Sequence, residues 1–128
     1  VWLLGSYKDK EVSTQIAALS EGSCRNLCGE TDLSDAIALL SRADLVVSND
    51  SGLMHIAAAL DRPMLAIFGS SSPQFTPPLS DKAQVLKLDL PCSPCFKREC
   101  PLGHFNCMMQ LTPDTILRHI PPLSATQP

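Results

Sequence analysis

The sequence predicts an α/β domain with an open, mostly parallel sheet and helices on both faces. Two observations support this fold: short apolar runs typical of strands alternate with segments of helical periodicity, and two of the runs lack the alternation expected of a half-exposed strand. Repeated units of strand, turn and helix form parallel sheets, because the helix carries the chain back to the starting edge. The predicted arrangement is Rossmann-like, and such sheets bind ligands beyond the carboxyl ends of their strands.

The first half of the chain contains two strand–helix units. Strands are predicted at 1–4 and 26–28, and helices at 9–19 and 33–42. Apolar residues recur at helical spacing in the first helix, at Val12, Ile16 and Leu19. In the second helix Thr31-Asp32 can act as the N-cap, and the apolar positions are Leu33, Ala36, Ile37 and Leu40.

The second half begins with two strands predicted to be buried on both faces, 44–48 and 64–69. Residues 53–60 form a helix between them that is apolar almost all round, and Asp61-Arg62-Pro63 ends it. A loop rich in Ser and Pro follows, and then a more exposed strand at 84–88. Thr112-Pro113-Asp114 caps a last helix at 115–120. One domain is therefore expected over 1–120, with a tail over 121–128.

Composition and length restrict the function classes. The 128 residues carry ten basic and thirteen acidic side chains, so the chain lacks the positive charge of a nucleic-acid-binding protein. No apolar stretch approaches the ~20 residues that a membrane span needs. The length suits one domain with its own core and is too short for an enzyme that closes two domains around a substrate. Because the sequence opens directly on a predicted strand without an initiator Met, we expect a piece of a longer protein.

The turn Asn49-Asp50-Ser51-Gly52 joins a predicted strand to a predicted helix. The amides of Ser51, Gly52 and Leu53 would lie at the helix N-terminus, where free N–H groups and the helix dipole favour an anion such as a phosphate. Gly52 would let a ligand approach the backbone, because it has no Cβ.

Two side chains could complete this site. Asp50 can accept hydrogen bonds from sugar hydroxyls, and His55 lies one turn on, on about the same helix face as Ser51. The alternative is purely structural. Asp50 or Ser51 would then be only an N-cap, worth about 1 kcal/mol, and His55 would be a core histidine.

The run Asn49–Leu60, followed by Arg62-Pro63 and by Phe68–Pro78, resembles the ADP-heptose:lipopolysaccharide heptosyltransferases of glycosyltransferase family 9, best of all those of type II. The resemblance extends with gaps from Leu3 to about Ile120. These enzymes have the GT-B fold, in which two Rossmann-like domains face each other across a cleft. Their C-terminal domain holds the nucleotide-sugar donor, and their N-terminal domain holds the acceptor and the presumed catalytic base. The resemblance implies that this chain is the C-terminal domain, with the N-terminal domain absent.

The resemblance also implies roles for individual residues. Asp50 would bind heptose hydroxyls of ADP-heptose, the three amides of the turn would hold the diphosphate, and His55 would line the same pocket. Lys8, in the turn Gly5–Asp9, would meet the phosphates, and Glu30 would hold the adenosine ribose. A solvated lysine at a helix start is the alternative for Lys8.

The reaction implied is transfer of a heptosyl group to the lipid A-linked inner-core oligosaccharide of lipopolysaccharide. It would take place at the cytoplasmic face of the inner membrane of a Gram-negative bacterium, where peripheral membrane contact would fit. Helix-terminus donors suit a departing diphosphate, and no cofactor is required for that. No residue of this chain is assigned as the catalytic base, and the chain alone is expected to be inactive.

Four of the six cysteines lie in the Cys-rich segment, residues 91–107: Cys92, Cys95, Cys100 and Cys107. Their spacing resembles that of metal ligands in outline, and four thiolates could bind a structural zinc or an iron–sulfur cluster, although neither standard spacing is matched. The alternative is reduced thiols without a metal. Lys97, Arg98 and His104 make the segment locally basic, as expected of a contact with an anionic acceptor or of a solvated loop.

Two other functions compete with the transferase. One is a non-catalytic interaction module that a four-cysteine metal site organises on an α/β scaffold. The other is a signalling receiver domain, which also places an Asp at the carboxyl end of a parallel strand. A receiver domain needs a further acidic pair after its first strand, where this chain has Gly5-Ser6, and here Asp50 opens a buried helix.

Overall fold

The computed structural model describes residues 1–122, so the predicted tail at 121–128 lies almost wholly outside the described residues. The chain divides into two compact units, one over Val1–Leu39 and one from Leu40 onward. Every strand pairing in the described residues is parallel, which confirms the predicted α/β class. The strands form a two-stranded and a three-stranded sheet, whereas the sequence predicted a single sheet.

The first unit contains β1 (Trp2–Leu3), a 3₁₀ turn (Tyr7–Asp9), α1 (Lys10–Leu19) and β2 (Arg25–Asn26). β1 and β2 pair in parallel, and both are shorter than predicted. Their carboxyl ends are tied together, because the amide of Gly29 donates to the carbonyl of Gly5 at 3.0 Å. The loops that follow the two strands therefore lie side by side.

Helix α1 is present close to its predicted bounds, but its apolar residues are not buried. Val12, Ile16 and Leu19 are all exposed, and the buried residue is Ser13, whose hydroxyl donates to the carbonyl of Asp9 at 2.8 Å. Helical spacing shows which side chains share a face, and it does not show whether anything in the chain covers that face.

Helix α2 (Leu33–Leu40) begins where the capping residues predicted it. The Asp35 amide donates to Asp32 Oδ1 at 2.8 Å, and the Asp32 amide donates to Asp35 Oδ2 at 3.2 Å. This reciprocal pair satisfies two amides at the helix start. Of the four predicted apolar positions, Ala36 and Leu40 are buried, whereas Leu33 and Ile37 are exposed, so the predicted apolar face is only half covered.

The second unit contains β3 (Val46–Asn49), α3 (Gly52–Ala59), β4 (Met64–Ile67), β5 (Ala83–Leu86), α4 (Asn106–Met109) and α5 (Pro113–Leu117). β4 lies between β3 and β5, with Met64 opposite both Val46 and Ala83. Helix α3 packs on β3 and β4, which makes a β–α–β unit. Four side chains at the centre of this packing are fully buried: Met54, Met64, Leu65 and Phe68.

Three predictions for this unit need correction. Val47 is half exposed, so β3 is not buried on both faces as its unbroken apolar run suggested. The predicted strand at 84–88 lies at 83–86. Helix α5 begins at Pro113 and not at 115, although Thr112 does cap it by accepting from the Thr115 amide at 3.3 Å. Residues 1–122 contain no helix that is long and apolar enough to cross a membrane.

Candidate functional site

The 49–52 turn leaves β3 at its carboxyl end and leads directly into α3. Ser51 has an extended backbone, and its hydroxyl accepts a hydrogen bond from the Met54 amide at 3.4 Å. A second hydroxyl, Ser48 Oγ, lies 3.3 Å from Ser51 Oγ. The side chain of Ser51 is therefore the N-cap of α3, as the structural alternative predicted.

The backbone amides of this turn, unlike the Ser51 side chain, have no hydrogen-bond partner among the described residues. Ser51, Gly52 and Leu53 precede or open the first turn of the helix, where N–H groups have no partner inside the helix. No backbone carbonyl or side chain in the described part of the chain accepts from them. A Cβ built on Gly52 would meet nothing within 4 Å outside the backbone of its own helix, so the space beside this residue is open. The turn thus presents free donors at the positive end of a helix dipole.

Asp50 is half-buried and is held by a residue that sequence reasoning did not select. Thr76 Oγ1 donates to Asp50 Oδ2 at 2.9 Å, and the Ser72 carbonyl lies 3.3 Å from the same hydroxyl as a second acceptor. Among residues 1–122, nothing donates to the other oxygen, Oδ1. The carboxylate is therefore oriented through one oxygen and keeps the other as a free acceptor.

Asp50 borders an open cavity of about 470 Å³, together with Ser71, Phe75, Thr76 and Phe96. Of the residues predicted for the site, Asp50 is the one that lines it. His55 is exposed on α3 and is absent from the lining, so the alternative of a core histidine is wrong. Thr76 and Phe75 lie in the run that carried the family resemblance, but their side-chain chemistry alone gave no reason to single them out.

Lys8 and Glu30 lie in the first unit, in the two adjacent loops at the carboxyl ends of β1 and β2. Lys10 Nζ lies 3.4 Å from Glu30 Oε1, so the cation that pairs with Glu30 is Lys10 and not Lys8. Lys8 is exposed in the 3₁₀ turn and forms no hydrogen bond or ion pair with the described residues. Both candidates are accessible to a ligand.

The four cysteines of the Cys-rich segment are free and partly buried, and they border one cavity of about 150 Å³. Their arrangement does not match a metal site: among the described residues, no group of three or more His, Cys, Asp or Glu side chains is placed to hold a metal ion. The zinc and iron–sulfur alternatives therefore gain no support. Hydrogen bonds from backbone amides, that of Phe105 foremost, lower the pKa of the Cys100 thiol below its ordinary value.

The Cys-rich segment is fastened to the residues that follow β4. The amide of Phe96 donates to the Ser70 carbonyl at 2.7 Å, and Ser93 Oγ donates to the Gly69 carbonyl at 2.7 Å. These bonds bring Phe96 against Phe75, with ring centroids 5.4 Å apart and the planes at 83°. A segment distant in sequence thus reaches the cavity beside Asp50.

Comparison with known proteins gives the family. The sequence model of one protein family, described as glycosyltransferase family 9 (heptosyltransferase), matches residues 1–106 of this chain. The matched range includes the 49–52 turn and every residue that borders the Asp50 cavity. This chain belongs to glycosyltransferase family 9. The membership confirms the resemblance drawn from the run Asn49–Leu60, and the structural neighbours below confirm a Rossmann-like fold of GT-B type.

Two curated family members show how much of a relative the chain covers. It is 45% identical to lipopolysaccharide heptosyltransferase 2 of Salmonella typhimurium over 124 residues, which are 94% of this chain and 36% of the relative. It is 42% identical to lipooligosaccharide heptosyltransferase 2 of Haemophilus influenzae, over 98% of this chain and 38% of the relative. The chain therefore spans little more than a third of these relatives.

Two solved structures of the family resemble the fold. The structure of E. coli ADP-heptose lps heptosyltransferase II superposes with a TM-score of 0.66 at 52% identity, over 69% of this chain and 28% of that one. A family 9 glycosyltransferase from Veillonella parvula gives a TM-score of 0.62 at 29% identity, over 66% of this chain and 25% of that one.

Proposed function

We propose that this chain is the donor-binding part of a heptosyltransferase that transfers L-glycero-D-manno-heptose from ADP-heptose to the inner core of lipopolysaccharide. The observation that carries the proposal is the 49–52 turn, where free amides and an oriented carboxylate meet at the carboxyl edge of a parallel sheet. The names of the relatives indicate the chemistry: lipopolysaccharide for the Salmonella protein and ADP-heptose for the E. coli structure.

The amides of Ser51, Gly52 and Leu53 would bind the diphosphate. Heptosyl transfer passes through an oxocarbenium-like centre while negative charge grows on the departing diphosphate. Fixed N–H donors at a helix N-terminus bind that group more strongly as its charge grows, which lowers the barrier. His55 is exposed one turn further along α3 and does not border the Asp50 cavity, so it would line the donor pocket outside that cavity.

Asp50 would orient the heptose. Because Thr76 occupies Oδ2, the free Oδ1 can accept a hydrogen bond from a sugar hydroxyl. Lys8 would meet the phosphates and Glu30 the adenosine ribose, as the family resemblance implies. Glu30 is paired with Lys10, so a ribose hydroxyl would either replace this ion pair or bind to Glu30 beside it.

The remaining parts of the reaction belong to the rest of the enzyme. We assign the acceptor, a lipid A-linked inner-core oligosaccharide, and the catalytic base to the acceptor domain that the relatives' greater length accommodates. We place the enzyme at the cytoplasmic face of the inner membrane, in peripheral contact with it. Neither Asp50 nor His55 is assigned as the base.

Titration of the chain with ADP-heptose and with ADP tests the donor site. We expect saturable binding of both ligands to the wild type. Gly52→Val should weaken both, because a branched side chain would occupy the open space beside the turn that the ligand needs, while its Cβ meets no protein atom outside the helix backbone. Asp50→Ala should weaken ADP-heptose more than ADP, since only the former carries the heptose.

Asp44→Ala is the matched control, because Asp44 is an exposed carboxylate just before the amino end of β3. It should leave both affinities unchanged. Absence of binding to a folded wild-type chain would contradict the proposal. Metal analysis of the same sample tests the interaction module, which requires stoichiometric zinc or iron.

A further inference from the structure

We propose that the Cys-rich segment serves the donor site by supplying Phe96, which together with Phe75 forms an aromatic wall that packs against the heptosyl ring. The inference rests on the proposed function and extends it, because it names the group that contacts the sugar's apolar face. It also gives this segment a function that does not involve a metal.

The aromatic wall, Phe75 and Phe96, is largely exposed although its two rings pack against each other. Phe75 is 75% exposed and Phe96 is 56% exposed, although their rings are in edge-to-face contact. Core packing does not account for rings that stay in solvent. Both border the cavity that Asp50 also lines. Ligand sites typically combine apolar and aromatic lining with a few placed polar groups, and this cavity has that composition.

A sugar ring matches the cavity in chemistry. It presents hydroxyl groups at its edge, which suit the Asp50 carboxylate, and C–H groups on its face, which suit an aromatic side chain. Asp50 directly precedes the amides assigned to the diphosphate. The sugar joined to that diphosphate is therefore the part of the donor within reach of both Asp50 and the wall.

Hydrogen bonds to the residues after β4 hold the backbone of Phe96 in place. Its φ of 55° lies in the left-handed region, which is strained for an aromatic residue and persists only where surrounding contacts enforce it. Those contacts are the hydrogen bonds from Phe96 N to Ser70 O and from Ser93 Oγ to Gly69 O, both at 2.7 Å.

The test compares Phe75→Leu and Phe96→Leu with Phe105→Leu in the 128-residue chain. Phe105 is a matched control, because it is 46% exposed in the same Cys-rich segment, also has a left-handed backbone, and borders the other cavity. Calorimetric titration should show that each wall variant weakens ADP-heptose about three- to tenfold and ADP less than about twofold. The control should change neither affinity.

Ring resonances give an independent readout. In ¹H–¹³C spectra, ADP-heptose should shift the Phe75 and Phe96 ring signals more than ADP does, and it should leave Phe105 unmoved. A circular dichroism spectrum that matches the wild type shows that each variant is folded, whichever affinity it loses.

The outcomes separate the two proposals. If the wild type binds both ligands and the wall variants change neither affinity, or weaken both equally, the aromatic wall does not contact the heptose and this inference is wrong. An equal loss of both affinities would assign the wall to the nucleotide. If the folded wild type binds neither ligand, the donor site itself is wrong, and the wall is wrong with it.

Discussion

Thr76 shows how a single hydroxyl can determine what a carboxylate does. Its proton satisfies Asp50 Oδ2 at 2.9 Å, so the carboxylate points one way and offers one oxygen. An unrestrained Asp50 would rotate and would have to be ordered by the ligand, and that ordering lowers affinity. Thr76 is therefore a positioning residue for the proposed heptose contact.

Replacing Thr76 tests this role at the residue scale. Thr76→Val keeps the shape and removes the donor, and we expect ADP-heptose affinity to fall about tenfold, since a hydrogen bond to a charged group is worth about 1.5–3 kcal/mol and water replaces part of it. Affinity for ADP should stay the same, as measured by calorimetry. Thr76→Ser retains the hydroxyl and should rescue binding. If Thr76→Val left the affinity for ADP-heptose unchanged, Thr76 would not contribute to binding of the heptose.

At the scale of secondary structure, the sequence predicted helix caps correctly, because a helix start depends on neighbouring residues. Asp32, Ser51 and Thr112 cap helices where the sequence placed caps, because a cap depends on residues within one turn. The exposure of the apolar residues of α1 and the two-residue length of β1 were not predictable in this way. Both depend on what lies across the fold, and periodicity carries no information about that partner.

Gly29 is a position where the loop after β2 depends on glycine. Its φ is +73°, and a Cβ there would lie 2.9 Å from the Cα of Tyr7. We expect Gly29→Ala to lower the free energy of unfolding by about 2 kcal/mol or more, from backbone strain and from the clash together. Urea unfolding measures this change.

Gly22 separates the two causes. Its φ is +87°, but a Cβ would meet nothing within 4 Å, so Gly22→Ala carries the strain without the clash. Its cost should be about 1 kcal/mol. Equal losses for the two variants would mean that the contact with Tyr7 relaxes freely.

The start of α1 should respond to acid. Ser6 Oγ and Ser6 N donate to Asp9 Oδ2 at 2.7 and 2.8 Å, and these bonds lower the pKa of Asp9 below its ordinary value of 3.8. A carboxyl with a lowered pKa in the folded state stabilises the fold above its ordinary pKa, and this stabilisation is lost as the pH falls through the lowered value.

Comparing the wild type with Asp9→Asn across pH tests that sign. The wild type should have the higher melting temperature at pH 7, and the difference should shrink below about pH 4. Asp44→Asn is a control, because Asp44 is exposed and forms no hydrogen bond or ion pair among residues 1–122. A difference that stays constant down to pH 2 would show that the charge of Asp9 is not responsible.

For the whole molecule, the candidate site divides into a part that the sequence predicted and a part that it did not. The 49–52 turn was predictable, because a strand, a glycine and a helix start follow one another along the chain. The aromatic wall was not, because Phe75 and Phe96 meet only when the Cys-rich segment bonds to the end of β4. Cysteine spacing drew attention to metal binding, whereas the neighbouring aromatic residue gave no signal of its own.

The parallel pairing of every strand in residues 1–122 also governs how the chain must acquire its structure. Paired residues such as Val46 and Met64 are nearly twenty positions apart, so no ladder can start from a tight hairpin. Each one requires a long loop to close first, which slows folding relative to a meander of equal length. During synthesis, β3 would leave the ribosome well before β4 and expose an unpaired edge to neighbouring chains.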